Sequence, residues 1–312
     1  MSLMSSSVDH ESQADPALWR ADETERRNSI WNQLGGGKTV LDTTAAAVRE
    51  AGILAGYRGV YASKDPVGSQ WSPSGYALGF LDLGSKYANE LSNEGVIYHY
   101  PKTKRPGHDK SEISAIHASH GAGLPVFVVA RGDHGVKSRK LFRGYIEALD
   151  DQAGMALITF ANDGKLPPPP AADEAESPFA LQDEDAALVW SKRRARPNQA
   201  RFAFDVAARY GTACAVCGIS VKEALEAAHL RPKSKSGSDD ARNGLMLCRN
   251  HHRMFDSALF GIHPGTGTVS THEPYELSDL FITAKNLAHL PAQPHPDALQ
   301  DAWERWTKSL GK

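Results

Sequence analysis

The three cysteines of this chain and one of its histidines form two short pairs whose spacing suits a metal ion. Two residues separate Cys214 from Cys217 and Cys248 from His251, and thirty residues lie between the pairs. Such pairs sit on tight turns, so that both ligands of each pair face one tetrahedral zinc ion. Four protein ligands leave no position for water, so we expect a structural ion. The alternative is that the three cysteines are small buried side chains, in which case all of them fall at ligand spacing by chance.

A second group of polar residues lies between and beside these pairs. The chain reads Leu225-Glu-Ala-Ala-His-Leu-Arg-Pro232, then a polar loop, then Asn243-Gly-Leu-Met-Leu-Cys248, and it continues through the adjacent His251 and His252 to Asp256. At this point the sequence, from Tyr210 to Ile262, resembles the HNH nuclease family, also called the ββα-metal fold, in its branch with zinc knuckles. The resemblance implies two strands, 224–231 and 244–248, joined by a loop and followed by a helix over 249–259.

Hydrolysis of a phosphodiester needs a base that deprotonates water and a cation that stabilises the charge developing on the phosphate oxygens. His229 ends a short apolar strand that can hold and partly shield its imidazole, so we assign it as the general base. Asn243 starts the second strand and is expected to orient that imidazole or to complete the metal shell. The predicted catalytic residues are thus His229, Asn243 and His252.

The catalytic divalent ion, Mg²⁺ or Mn²⁺, is expected on the predicted helix. His252 and Asp256 are four residues apart, so they share one helix face, whereas His251 points about 100° away, toward the zinc. Asp256 taken alone is equally consistent with a surface carboxylate. Many family members place a ligand directly before the base, where this chain has Ala228. The candidates for the missing ligand are Glu226, Asp239, Asp240 and Asp256.

The elements around these motifs predict an α+β protein. The chain has 312 residues, of which 41% are hydrophobic and 23% charged, a globular composition long enough for two domains. Short strand-like runs lie at 59–62, 76–81, 95–100, 125–130, 144–149 and 155–160, and helices are predicted over 39–51, over 110–119 with Asp109 as N-cap, and over 296–310. The sequence shows neither a signal peptide nor the roughly twenty apolar residues of a membrane span, so we expect a cytoplasmic protein.

Composition divides the chain into an acidic segment (1–25), a first domain (26–165), a linker (166–191) and a nuclease domain with C-terminal helices (192–312). The acidic segment is expected to be a mobile tail or a loosely attached helix. The linker has four consecutive prolines and six carboxylates but no basic residue. A net charge of −2 argues against a nucleic-acid partner, but this average hides a charge of +8 over 192–253 behind −5 in the tail and −6 in the linker. The basic segment surrounds the nuclease motif, where a polyanion has to bind.

The first domain combines the segment Gly95 to Asp109, a helix, the run Gly123 to Val129 and the pair Gly144-Tyr145. In strand order and in these residues it resembles the PUA-like superfamily, which includes the SRA and EVE domains. The resemblance implies a mixed β-barrel that holds a flipped modified base in an aromatic pocket. Trp71 is the best candidate, since it lies in a polar loop where a core role is hard to justify. The predicted pocket residues are Tyr61, Asp65, Trp71, Tyr76, Tyr98, His99, Tyr100 and Asp109.

A reader joined to an HNH nuclease resembles a modification-dependent restriction endonuclease. The predicted function is therefore one-metal hydrolysis of double-stranded DNA carrying 5-methylcytosine or 5-hydroxymethylcytosine, by a homodimer, since one ββα site cuts one strand. Two alternatives stay open: an HNH nuclease that reads another mark or none, and a non-catalytic nucleic-acid-binding module. The basic residues expected on the DNA backbone are Lys102, Lys104, Arg105, Arg193, Arg194, Arg231 and Lys233.

Overall fold

The computed structural model describes residues 15–36, 40–55, 59–82, 91, 92, 94–160, 179–182 and 199–310. They form a mixed α+β protein with a sheet-rich N-terminal part. In chain order the elements are α1 (Pro16–Gln33), β1 (Val40–Thr44), α2 (Ala45–Glu50), β2 (Val60–Ser63), β3 (Tyr76–Asp82), β4 (Gly95–His99), α3 (Pro106–Ala122), β5 (Pro125–Arg131), β6 (Ser138–Asp150), β7 (Met155–Phe160), α4 (Gln199–Tyr210), β8 (Leu225–His229), β9 (Gly244–Cys248), α5 (Arg249–Asp256), β10 (Phe260–Ile262), β11 (Val269–Thr271) and α6 (Pro296–Ser309). The chain divides into two compact units, residues 1–81 with 101–143 and residues 82–100 with 144–312.

The first unit is built on β-strands. β3 lies between β2 and β5, and β5 is followed by the first part of β6, which pairs antiparallel with β1. One face of these strands packs against helical residues in a core that includes Trp31, Ile53, Phe127 and Leu141. Burial of these large apolar side chains is the main favourable term holding the unit together.

Helix α1 is fastened to this unit by a buried arginine. The Arg27 guanidinium is inaccessible to solvent, donates from Nε to Glu23 at 2.7 Å, and donates from Nη1 to the carbonyl oxygens of Ala77 and Pro125, both at 2.8 Å. Burial lowers the pKa of Arg27 to about 10, which still leaves it charged at neutral pH. A buried charge persists only when it is paired, so this network fixes the helix on the strands.

Three predictions for the first unit differ from the structure. Residues 16–25, predicted to be a mobile tail or a loosely attached helix, belong to α1, and the buried ion pair and Trp31 anchor that helix firmly. The helix predicted over 39–51 is a strand, β1, followed by the short α2, because the backbone of 40–44 pairs with β6. Helix α3 starts at Pro106, so Asp109 lies in its first turn and is not its N-cap. The predicted strand runs are confirmed: five of them agree within one residue at each end, and the run at 144–149 belongs to the longer β6, which begins at Ser138.

The second unit contains the motifs. β4 and the second part of β6 flank β7, both antiparallel to it. Helix α4 contributes Phe202 and Val206 to a core shared with Ile97 and Leu157 of these strands and with Leu245 of β9. β8 and β9 pair antiparallel, with His229 opposite Gly244, and α5 follows directly, which confirms the predicted strand-strand-helix order. The C-terminal helix predicted over 296–310 is also confirmed, as α6.

The predicted linker lies mostly outside the described residues. Residues 179–182 are described and pack within the second unit, where Ala180 is buried. The domain boundaries at 25, 165 and 191 stay predictions, as does the PUA-like barrel. Across the described segments, no helix combines the length and the apolar character that a membrane span requires.

Candidate functional site

The two cysteine-containing pairs converge as their spacing predicts. The ligand atoms of Cys214, Cys217, Cys248 and His251 all lie within 4.8 Å of one another. The first pair sits on a tight turn in which the amide of Gly218 donates to the carbonyl oxygen of Cys214 at 2.8 Å, and Gly218 itself has a φ of +73° that favours glycine. The second pair spans the start of α5, so β9 and α5 carry its two ligands.

The donor set fits zinc in its chemistry as well as its spacing. His251 Nε2 donates to the carbonyl oxygen of Leu280 at 2.9 Å, which leaves the lone pair of Nδ1 facing the sulfurs, 3.1 Å from Cys248 Sγ. Burial raises the pKa of the Cys214 thiol, but contact with His251 and backbone hydrogen bonds at Cys248, Val216 and Cys217 together outweigh it and lower that pKa to about 6. Thiolates and a neutral imidazole of fixed tautomer are the ligands that zinc takes in structural sites. These four residues can therefore hold a zinc ion.

The second histidine of the adjacent pair faces carboxylates, not sulfur. His252 Nδ1 lies 2.9 Å from Glu226 Oε2 of β8, and Glu226 also pairs with Arg249 Nε at 3.0 Å. An ionised carboxylate only accepts, so Nδ1 carries the proton and the Nε2 lone pair points away from Glu226. Nε2 lies 3.7 Å from Asp256 Oδ2. That separation is long for a hydrogen bond but suits two ligands that each lie about 2.1 Å from one ion.

His229 ends β8 in a pocket of its own. Its imidazole stacks on the ring of Phe202 from α4, with centroids 3.7 Å apart and planes 9° from parallel. Its Nε2 lies 3.0 Å from Asp239 Oδ1, and Lys233 Nζ lies 3.0 Å from the other oxygen of that carboxylate. Burial works to raise the pKa of Asp239, but the hydrogen bonds from His229 and Lys233 outweigh it and hold that pKa below its usual range. His229 therefore faces a carboxylate that is ionised at neutral pH.

Asn243 is fully buried, but it does not orient the His229 imidazole as predicted. Its Oδ1 accepts from the Arg231 amide at 2.9 Å, and its Nδ2 donates to the carbonyl oxygens of Arg231 at 3.2 Å and Ser238 at 2.9 Å. With all its bonds on backbone, Asn243 closes the loop between β8 and β9. The structure assigns the contact with His229 to Asp239 instead, because the closed loop brings this carboxylate back over the end of β8.

The predicted catalytic residues therefore form two clusters, one around His229 and one around His252. Among the hydrogen bonds and ion pairs of the described residues, none joins the two histidines. Of the carboxylates proposed to complete the metal shell, Asp256 faces His252, whereas Asp240 is taken up by Arg242. The sequence reasoning missed Phe202; the helical spacing of α4 indicates a buried face but not what that face covers.

The basic residues predicted to contact DNA differ in their surroundings. Arg231 donates to Asp301 of α6 and to the Lys235 carbonyl oxygen, and Lys233 pairs with Asp239, so both hold the loop and its neighbours. Lys102, Lys104 and Arg105 are exposed on the segment before α3. Arg193 and Arg194 lie outside the described residues.

In the first unit, aromatic side chains meet at a cavity of about 550 Å³. Trp19 of α1 lies with its ring centroid 5.6 Å from Trp71 and 4.5 Å from Tyr76, and all three line the cavity. Asp65 accepts from Trp19 Nε1 at 2.7 Å and from the Gly68 amide at 2.6 Å, so it positions the Trp19 indole. Trp71 is 38% exposed and can offer a ring face. Trp19 was missed because it falls in the predicted tail, although Asp15-Pro16 is a helix-start signal.

The remaining predicted pocket residues do not line this cavity. Tyr61 lines a separate cavity of about 380 Å³ beside Arg105, and Asp109 accepts from the amide and hydroxyl of Thr103. The last three, Tyr98, His99 and Tyr100, lie at β4 in the second unit: Tyr98 is buried, His99 Nδ1 is 3.2 Å from Lys222 Nζ, and the Tyr100 hydroxyl donates to Asp151 at 3.0 Å.

Comparison with known proteins agrees with this geometry. Residues 214–263 match the family described as HNH endonuclease. No curated protein is similar enough to the chain to count as a match. A solved structure named "Modification dependent TagI restriction endonuclease" is similar over 84% of this chain and 90% of its own, at 17% identity and a TM-score of 0.35, which is too low to establish a common fold. The four candidate metal ligands, the paired strands β8 and β9 and helix α5 all lie within this segment, which is similar to HNH endonuclease domains and supports a nuclease.

Proposed function

We propose that the protein is a DNA endonuclease that hydrolyses phosphodiesters at the ββα unit formed by β8, β9 and α5. One observation carries this proposal. Within the segment that matches the HNH family, each of two histidines is held by a carboxylate, His229 by Asp239 and His252 by Glu226. A histidine with one nitrogen fixed by a carboxylate presents the other nitrogen in a defined protonation state, as both proton transfer and metal binding require.

His229 acts as the general base. Its Nε2–H donates to Asp239, so the lone pair of Nδ1 takes a proton from the attacking water. The Asp239 carboxylate then stabilises the imidazolium that forms, as the aspartate of a catalytic triad does. Stacking on Phe202 restricts rotation of the ring. Attack of the water on phosphorus releases the 3′ oxygen and leaves a 5′-phosphate on the other product.

His252 and Asp256 hold the catalytic divalent ion, Mg²⁺ or Mn²⁺. When bound, the ion neutralises charge on the phosphorane and on the departing oxygen. Glu226 keeps the proton of His252 on Nδ1, so that Nε2 faces Asp256 as a ligand. Glu226 therefore fixes the tautomer and orientation of His252 through Nδ1, as carboxylates commonly do for histidines that bind metals.

We further propose that the aromatic cavity of the first unit reads a modified cytosine, 5-methylcytosine or 5-hydroxymethylcytosine, in a PUA-like domain. Trp19, Trp71 and Tyr76 offer π-faces for stacking, and a flipped base needs such faces together with polar groups at its edge. Exposed Lys102, Lys104 and Arg105 precede α3 of the same unit, where they can contact phosphates. Because one ββα site cuts one strand, the proposal includes a homodimer for double-strand cleavage.

The test is cleavage of one plasmid in unmodified, 5-methylcytosine and 5-hydroxymethylcytosine forms, each with Mg²⁺ or Mn²⁺. We expect cleavage of modified plasmid only, its loss in His229→Ala and in His252→Ala, and zinc content unchanged in both variants. Equal cleavage of all plasmids refutes the proposal that the protein reads cytosine marks and supports the proposal that it is a nuclease. No cleavage of any plasmid favours a binding module. Full activity of His229→Ala refutes the assignment of the base.

The cavity has its own test within the same assay. Trp71→Ala removes the exposed wall of the cavity, and we expect it to weaken binding of the modified plasmid by roughly 10-fold or more, since stacking contributes about 1–3 kcal/mol per base. Leu18→Ala is the matched control, because Leu18 is a large apolar side chain that is 66% exposed on the same unit and does not line the cavity. Unchanged binding by Trp71→Ala excludes the cavity as the reading site.

A further inference from the structure

Four residues of the predicted linker, Phe179 to Gln182, lie against the loop that carries Asp239. The Phe179 ring stacks on His295, with centroids 3.8 Å apart and planes 12° from parallel, and the Arg242 guanidinium lies 5.3 Å from the centre of the same ring. Phe179 is therefore held between the last residue before α6 and the end of the loop. Phe179 therefore anchors the linker to the rest of the second unit.

The backbone of this segment extends the loop as a short strand would. Gln182 forms an antiparallel bridge with Gly237. The Ser238 amide donates to the carbonyl oxygen of Leu181 at 3.1 Å, and the Ser238 hydroxyl donates to that of Ala180. Ser238 and Ala180 are both buried, so these bonds are shielded from water. Buried backbone groups must be paired, so the loop depends on this segment for its hydrogen bonds.

Ser238 is directly followed by Asp239, the partner of the general base. The third polar group of Ser238, its carbonyl oxygen, accepts from Asn243. The Ser238 hydroxyl oxygen also accepts from the Asp240 amide at 3.4 Å, so two of the four hydrogen bonds that place this residue come from the linker and two come from the loop itself. A shift of Ser238 moves the Asp239 carboxylate relative to the imidazole of His229.

We infer that Phe179 to Gln182 is a positioning segment for the general base, which holds Asp239 on His229 through Ser238. The inference rests on the proposed function. It adds residues on the N-terminal side of the predicted boundary at residue 192 to the catalytic unit. This part of the linker then has a catalytic role besides that of a spacer. The groups around Asp239 agree with this role: its carboxylate contacts Nε2 of His229 and the ammonium of Lys233, while α4 presents the uncharged Phe202 ring to His229.

The test compares Phe179→Ala with the parent in the full-length protein, over a range of concentrations, up to saturation, of a plasmid that the parent cleaves. We expect kcat to fall roughly 10- to 100-fold with KM unchanged, because a misplaced catalytic group costs about this much. Phe179→Tyr, which keeps the aromatic ring, should restore kcat.

Phe281→Ala is the matched control, since it removes the same side chain where it is 77% exposed on the same unit; it should leave kcat and KM unchanged. Ser238→Ala removes the hydroxyl that bonds the linker and leaves the linker side chains intact. It should lower kcat as Phe179→Ala does, and it tests the inference independently if Phe179→Ala does not fold. A rise in KM without a fall in kcat, or parent-like kcat and KM, overturns the inference. If His229→Ala is fully active, the proposed function fails; if only Phe179→Ala and Ser238→Ala are parent-like, the positioning role alone fails.

Discussion

Replacing Asp239 by Asn tests the contact on which the proposed chemistry depends. The change keeps the size of the side chain and removes its charge, 3.0 Å from His229 Nε2 and 3.0 Å from Lys233 Nζ. The side chains of His229 and Asp239 are 17% and 13% exposed, so water screens their interaction only in part. Two effects follow: the imidazolium loses its counter-charge, and the carboxamide no longer dictates which ring nitrogen carries the proton.

The size of the effect can be worked from this geometry. Two unit charges about 4 Å apart attract by about 4 kcal/mol at an effective dielectric constant near 20. Desolvation offsets part of this attraction. We therefore expect kcat at neutral pH to fall roughly 10²-fold or more, since a positioned base contributes about 10²–10⁴.

The assay is single-turnover cleavage at saturating DNA and neutral pH, with Glu273→Gln as the matched control. Glu273 is an exposed carboxylate of the same unit, so its conversion to an amide should leave the cleavage rate unchanged. DNA binding, measured without the divalent ion, should be preserved in Asp239→Asn. A variant that cleaves at the parent's rate refutes the pairing of Asp239 with the base. Lost DNA binding points to a role of the loop in contacting DNA.

Three further predictions concern stability. Cys248→Ser should abolish zinc binding and lower the melting temperature, and a chelator should do the same to the parent; unchanged melting after metal loss contradicts a structural ion. Glu23→Gln should cost about 3–5 kcal/mol of unfolding free energy at neutral pH because Arg27 stays buried and charged without its partner. The pKa of Glu23 is lowered in the folded state, so this contribution is present above its ordinary pKa of 4.5 and fades as the pH falls below it; a difference that persists in acid disproves the ion-pair origin. Gly237→Ala should disrupt the loop, because its Cβ would lie 1.9 Å from the Arg231 carbonyl oxygen, and retained activity with normal melting contradicts that.

The features that could be predicted from the sequence are local ones. The four zinc ligands lie in two pairs with fixed spacing, and a tight turn or a helix start brings each pair together whatever the rest of the chain does. The same holds for His252 and Asp256, whose four-residue separation puts them on one side of α5. Strand β9 and helix α5 fall where the motif places them, because their hydrophobic pattern agrees with their tertiary position.

The partners of the catalytic histidines could not be predicted in this way. Asp239 was one of several candidate carboxylates, and Phe202 lies 27 residues before the histidine that it covers. Asn243 was expected to orient the imidazole or to complete the metal shell, but its side chain forms hydrogen bonds with the backbone of the loop. Trp19 reaches Trp71 from a segment that composition marks as a tail.

The sequence by itself determined which residues are candidates for metal binding and for the base, since side-chain chemistry and short spacings are carried by the chain alone. Only the tertiary structure decided that Asp239 faces His229, that Glu226 faces His252, and that linker residues 179–182 support the loop. The physical reason is that these contacts join residues on separate elements. Their formation depends on the way in which the long loops close and on which buried polar groups must be paired. Neither can be predicted from a local pattern in the sequence.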